Sequence, residues 1–239
     1  MARVRLVIAH RGASGTRPEN TLVAFRRAQE LGAHMIELDV QLTRDREVVV
    51  MHDRTLRRTA GVRGRVASRT LTELRQLEVG SWFAPAYANE RLPTLREVLE
   101  SVALPVNVEL KARGDDGLEA RALEVVEAAE ASWRVVFSSF DAESLVRLRR
   151  RSDSAEIAIL WSYRRLTPAL RLAARVRATA LHLRKEITVS AGVGAAVAQG
   201  LQVRAWTVND PGESARLADM GVSGVFTDFP ERFLHIAPP

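Results

Sequence analysis

Short runs rich in β-branched and aliphatic residues recur along the chain, at about 4–9, 35–42, 47–52, 105–110, 134–139, 156–161, 179–184, 202–208 and 223–227. Stretches with helical spacing separate most of them. Several helices announce their starts: Thr94 with Glu97 forms a capping box, Thr167 precedes Pro168, and Asp210 precedes Pro211 with Glu213 three residues after the cap. Gly32, Gly200 and Gly221 stand where helices are expected to stop. The runs at 35–42 and 47–52 are joined by too few residues for a crossover, so they form an antiparallel hairpin. Setting its return arm aside leaves eight strands, each leading toward a helix. That count predicts a (β/α)₈ TIM barrel, which typically takes about 250 residues. Alternation of strand and helix also permits a doubly wound open sheet, which stands as the alternative. Residues 1–239 read as a single domain, with an insertion at about 53–93 lying at the C-terminal mouth and holding a short helical pattern near 71–77.

Two strands place polar residues on the wrong face for a plain core. In Met35-Ile36-Glu37-Leu38-Asp39-Val40, period-2 alternation puts Glu37 and Asp39 on one face and the aliphatic residues on the other. The aliphatic face must meet the helices, so both carboxylates point into the barrel. Val106-Asn107-Val108-Glu109-Leu110-Lys111 repeats the inversion, turning Asn107, Glu109 and Lys111 inward. Converging buried carboxylates repel and lose solvation unless a cation joins them. Oxygen donors without cysteine suit a hard divalent ion such as Mg²⁺, Ca²⁺ or Mn²⁺. A structural ion-pair network with Lys111 is the alternative.

If the hairpin turns symmetrically about Asp45 and Arg46, Asp39 pairs with His52 and returns an imidazole to the carboxylates. Arg46 falls where a two-residue hairpin usually wants glycine. His10 and Arg11 end the first strand, at the rim where barrel enzymes keep their reactive groups. Arg11 and Lys111 beside a metal form an arrangement for holding a phosphoryl group. His10 and His52 supply the two proton transfers that a diester needs. His34, His182 and His235 read as structural. Glu19-Asn20-Thr21 reads as a helix start, with Asn20 or Thr21 as cap, although Glu19 can also face the site. Trp206 and Phe140 sit at strand ends, where they pack either the core or the apolar part of a substrate.

Composition narrows the setting. With 46% hydrophobic and 27% charged residues, the chain excludes disorder, and its length buries roughly 70% of the unfolded surface. The absence of cysteine fits a reducing compartment, and no signal-like or membrane-spanning run is present, so a cytoplasmic protein without stable membrane insertion is expected. The net charge of +6 raises nucleic acid as a partner. Clusters such as Arg147, Arg149, Arg150 and Arg151 lie on helix-like segments, however, and aromatics are sparse at 5%. A small-molecule substrate without nucleic acid is the expectation.

The sequence resembles the glycerophosphodiester phosphodiesterases over nearly its whole length. The resemblance rests on AHRGASGTRPENT, IELDVQLTRDREVVVMHD, VNVELK, AWTVN and GVSGVFTDFP, in that order and on the expected strands. It implies a TIM barrel and a divalent metal held by Glu37, Asp39 and Glu109. It further implies His10 and His52 as the acid-base pair, with Arg11 and Lys111 on the phosphate of a glycerophosphodiester. Glu19 and Asn20 match the family's E-N-T element, and Asp53 matches the aspartate that orients the HD histidine. A lysophospholipase D acting on lipid diesters is also allowed, with Leu77, Val79, Trp82 and Phe83 as an apolar surface. Two positions depart from the family pattern: Arg46 replaces a common glycine, and Ser223 a common aspartate.

Overall fold

The computed structural model describes residues 4–112 and 114–233; His235 lies outside them. Eight parallel strands close a barrel: β1 (Leu6–Ala9), β2 (Met35–Leu42), β4 (Val106–Leu110), β5 (Val135–Ser139), β6 (Glu156–Trp161), β7 (Ala180–Arg184), β8 (Gln202–Trp206) and β9 (Gly224–Thr227). The ring shuts through β1, which pairs with β2 on one side and β9 on the other. The open-sheet alternative is thereby excluded. The ninth strand, β3 (Val48–Val50), runs antiparallel along the upper part of β2.

Alternation decides which residues fill which layer. Ile36, Leu38 and Val40 of β2 and Val106, Val108 and Leu110 of β4 join the core between barrel and helices. Inside the barrel, Ile8, Met35, Val136, Ala158, Ala180 and Phe226 pack an apolar floor. Each large side chain so buried contributes about 1.5–3 kcal/mol. Above that floor the inward positions turn polar. A third cluster, Val49, Met51, Leu56, Val66, Leu74, Val79 and Leu92, anchors the insertion to the inner side of β3.

The helix starts legible in the sequence follow their caps, with one exception. Thr21 Oγ1 accepts from Ala24 N–H at 3.3 Å and opens α1 (Leu22–Glu30). Thr94 and Glu97 form the expected reciprocal box, and Asp210 accepts from Glu213 N–H at 2.7 Å. Thr167 is the first helical residue rather than the cap, which falls on Leu166 without a side-chain bond.

The hairpin register differs by one residue from the symmetric expectation. Thr43 and Glu47 close a three-residue loop, with Arg46 in the left-handed region at φ 65°. This is a tight turn followed by a left-handed residue, which shifts pairing by one. Asp39 therefore faces Met51, whose N–H donates to Asp39 O at 2.8 Å. His52 reaches the site differently: the Gln41 amide donates to the carbonyls of Met51 and Asp53 at 2.7 and 2.8 Å, turning the chain as it leaves β3.

Candidate active site

The mouth of the barrel holds a cavity of about 190 Å³ lined in part by His10, Arg11, Glu37, His52, Glu109 and Lys111. Its opposite wall is apolar, formed by Phe140, Leu160, Trp206 and Phe226. Parallel register sets Asp39 beside Glu109 and Glu37 beside Asn107, so the inversions on β2 and β4 become one cluster. One oxygen from each of Glu37, Asp39 and Glu109 lies within 4.8 Å of the others, and all three residues are buried.

The electrostatics fit a cation. Burial first, and then the charges of Asp39 and Glu109, push the Glu37 carboxyl well above its ordinary value. Burial and the charge of Asp39 push Glu109 up to about 7, against the nearby Lys111 ammonium. Asp39 takes the opposite course: burial would raise it, but Lys111 and Arg11 hold it low. Asp39 Oδ1 and Asn107 Oδ1 are buried without a hydrogen bond, although Lys111 Nζ stands 3.0 Å from the former outside bonding geometry. Crowded carboxylates with raised proton affinity, beside the unpartnered Asn107 Oδ1 and with no sulfur, are what a hard divalent ion would relieve.

Arg11 and Lys111 are anchored by the same acids. Arg11, left-handed at φ 56°, turns its backbone N–H onto Glu37 Oε2 at 2.9 Å. Its guanidinium donates to Glu19 at 2.9 Å and lies 3.4 Å from Asp39. Gly12 follows at φ +83°, where an added Cβ would lie 2.7 Å from the Ala24 backbone, so the loop closes only on glycine. Lys111 pairs with both Glu109 and Asp39. Asn20 donates to Asp39 Oδ2 at 2.8 Å. Glu19 and Asn20 thus hold Arg11 and Asp39 rather than forming the cavity wall.

Both histidines carry a carboxylate on Nδ1. His52 meets Asp53 at 2.8 Å, and His10 meets Asp228 at 2.7 Å. Asp228 is a site residue that strand parity passes over. It also accepts from Asn209 at 2.7 Å and Ser14 at 3.1 Å. Burial would raise the Asp228 carboxyl, but these bonds, His10's first, bring it to about 2. Arg58 is the other omission: it binds Asp53 and Glu19 together. Its hydrogen bonds are the main reason that Asp53 falls to about 2. Burial lowers the His52 imidazole below its ordinary value, against the charge of Asp39, and Arg11 and Lys111 act in the same sense.

Of the other histidines, His34 Nδ1 accepts from Val7 N–H at 3.1 Å, and His182 is fully buried against Phe226. Trp206 lines the cavity, edge-on to Phe140 with ring centres 5.5 Å apart, and its indole N–H donates to His182 O. Ser223 lies away from the mouth, bonded to Val203 O.

A closed parallel barrel that brings paired cations, two oriented imidazoles and a metal-competent acid cluster to its C-terminal mouth defines a class, the TIM-barrel phosphoric diester hydrolases. The chain belongs to the Glycerophosphoryl diester phosphodiesterase family, whose profile matches residues 10–232. It is 37% identical over 236 residues to a glycerophosphodiester phosphodiesterase of Caldanaerobacter subterraneus subsp. tengcongensis, covering 97% of each chain. A mouse lysophospholipase D is 28% identical over 94% of this chain and 83% of its own. A phosphodiesterase of Oleispira antarctica, solved in complex with the product sn-glycerol-3-phosphate, superposes with a TM-score of 0.89 at 32% identity. That match covers 98% of this chain and 96% of the other.

Proposed function

We propose that the protein hydrolyses glycerophosphodiesters to glycerol 3-phosphate and an alcohol, with His10 and His52 as the proton-transfer pair. The observation that carries this reading is the pair of imidazoles on one cavity, each held at Nδ1 by its own carboxylate. A carboxylate at Nδ1 fixes that proton and leaves Nε2 to exchange with substrate. Burial lowers the His52 imidazole below its ordinary value, which favours the neutral form that accepts a proton. It takes the proton of the attacking oxygen while His10 supplies one to the departing alkoxide. Arg11 and Lys111 neutralise the phosphoryl oxygens. Glu37, Asp39 and Glu109 would hold a divalent ion, Mg²⁺, Ca²⁺ or Mn²⁺. When bound, such an ion supplies Lewis-acid stabilisation of the phosphoryl charge.

The test is release of glycerol 3-phosphate from glycerophosphocholine in EDTA, then with each metal restored. Metal-dependent release is expected. Absence of release with every metal overturns the substrate, and full activity in His52→Ala overturns the proton-transfer role. The lack of cysteine supports a cytoplasmic setting. Among the described residues no helix is long and apolar enough to cross a membrane.

The apolar wall favours a second reading, lysophospholipase D activity on lipid diesters, as the mouse relative is named. That wall replaces the insertion as its structural basis, since Leu77 and Val79 pack into the insertion's own core and leave Trp82 half-exposed. Choline release from lysophosphatidylcholine exceeding that from glycerophosphocholine would favour it.

A further inference from the structure

The short helix Arg57–Ala60 of the insertion is held in place by Leu56, which is fully buried in the insertion core. That placement delivers the Arg58 side chain to two carboxylates from distant parts of the chain. Nε and Nη2 donate to the two oxygens of Asp53 at 2.7 and 3.0 Å. Nη1 and Nη2 donate to the two oxygens of Glu19 at 2.7 and 2.8 Å. The guanidinium thus spends four hydrogen bonds in the fork geometry that only arginine offers. Trp82, from the far end of the insertion, lies over it at 5.5 Å and is itself fixed through its indole N–H to Val79 O at 2.9 Å.

Each carboxylate has a second partner at the cavity. Asp53 holds His52 Nδ1, and Glu19 holds the Arg11 guanidinium. Arg58 itself does not line the cavity. We propose that Arg58 is a positioning residue: through Asp53 and Glu19 it sets the orientation of His52 and the placement of Arg11 together, as one rigid unit. The insertion then does more than flank the mouth; its core and Trp82 are the support that aims this guanidinium. The inference rests on the proton-transfer role given to His52 above.

The test compares Arg58→Ala and Arg58→Lys with His52→Ala, and with Arg57→Ala as a neighbouring exposed control. Partners of this kind typically change activity by roughly 10- to 100-fold. Arg58→Ala is expected to lose kcat in that range, with a smaller change in KM, and to regain part of it on adding guanidinium ion but not equimolar NaCl. Arg58→Lys recovers only in part, because a point charge cannot bind both carboxylates in parallel. Removing Arg58 from an Asp53→Ala background is expected to cost much less than removing it from the wild type.

The inference fails alone if His52→Ala is inactive while Arg58→Ala matches Arg57→Ala. It also fails if NaCl rescues as well as guanidinium, or if the Asp53 and Arg58 losses multiply in full. Full activity in His52→Ala overturns both this inference and the proton-transfer reading. Thermal melts precede the kinetics, and where Arg58→Ala melts early, Arg58→Gln carries the same comparison.

Discussion

Adding a divalent ion should change how the stability of this protein depends on pH, because the crowded acid cluster would exchange protons for it. Glu109 is pushed up to about 7 by burial and by Asp39, and Glu37 is raised well above its ordinary value. Between about 4.5 and 7 the metal-free fold therefore binds protons that the unfolded chain has already released. These groups stabilise the metal-free fold most at low pH, and that contribution is lost as pH rises through the window. A divalent ion must displace the same protons, so its affinity grows about tenfold per pH unit for each proton displaced. For Glu109 alone, raising pH from 5 to 7 strengthens the apparent affinity about 50-fold and so adds about 2 kcal/mol to the stabilisation by a fixed excess of metal, and Glu37 adds in the same direction. Urea unfolding with metal and with EDTA, at pH 5, 6, 7 and 8, measures the increment. Taking the difference cancels the buried His182, whose lowered value makes both forms gain stability as pH rises. An increment equal at pH 5 and pH 7 would refute the argument that these carboxylates exchange protons for metal. No increment even at pH 8 would refute the cluster as a metal site.

Two further outcomes concern Asp228 and Arg46. Asp228→Asn replaces an acceptor at His10 Nδ1 with a group that can donate, which favours the wrong tautomer; kcat for glycerol 3-phosphate release should fall by at least roughly 100-fold, with the thermal midpoint nearly unchanged. A loss below threefold would remove Asp228 from the site. Arg46→Gly relieves a left-handed arginine at φ 65° and should raise stability by about 1 kcal/mol in urea unfolding. Destabilisation would mean that the Arg46 bond to Asp116 O outweighs the backbone term.

Each of the nine strands falls on a run rich in aliphatic and β-branched residues, because each face of a strand must enter its own packed layer. The inward set Glu37, Asp39, Glu109 and Lys111 is legible for the same reason: a strand's parity fixes a face whatever the neighbouring strand does. The hairpin register is not legible, since it turns on whether Arg46 accepts a left-handed conformation, and an arginine gives no sign that it will. Arg58 is hidden differently. One among many arginines in a basic chain, it is distinguished only by where the insertion folds, and parity does not apply to a short irregular segment.

Asp228 is the instructive case, because a signal for it exists once the barrel is taken as closed. Closure makes the first and last strands neighbours, and their register pairs Ala9 with Thr227. One residue further along both chains come His10 and Asp228, so the 2.7 Å bond across 218 positions of sequence is the next step of a parallel ladder. In an open sheet those strands would lie at a distance, and no such contact would form. Topology and chemistry are therefore coupled here. The same closure that excludes the open sheet orients the first histidine, and a sequence ending its first strand in His-Arg and its last in Thr-Asp carries both halves of that dyad. Asn209 completes the argument from β8: its amide donates to Asp228 Oδ2 while its carbonyl oxygen accepts from Thr227 Oγ1 and Asp228 N–H. Three adjacent strand ends thus fix one carboxylate, whereas His52 depends on a loop and an insertion. Loops tolerate change more readily than strand ends, so substitutions among the loop residues that support His52 should cost less activity than substitutions at Asp228, while loss of either histidine itself should abolish turnover.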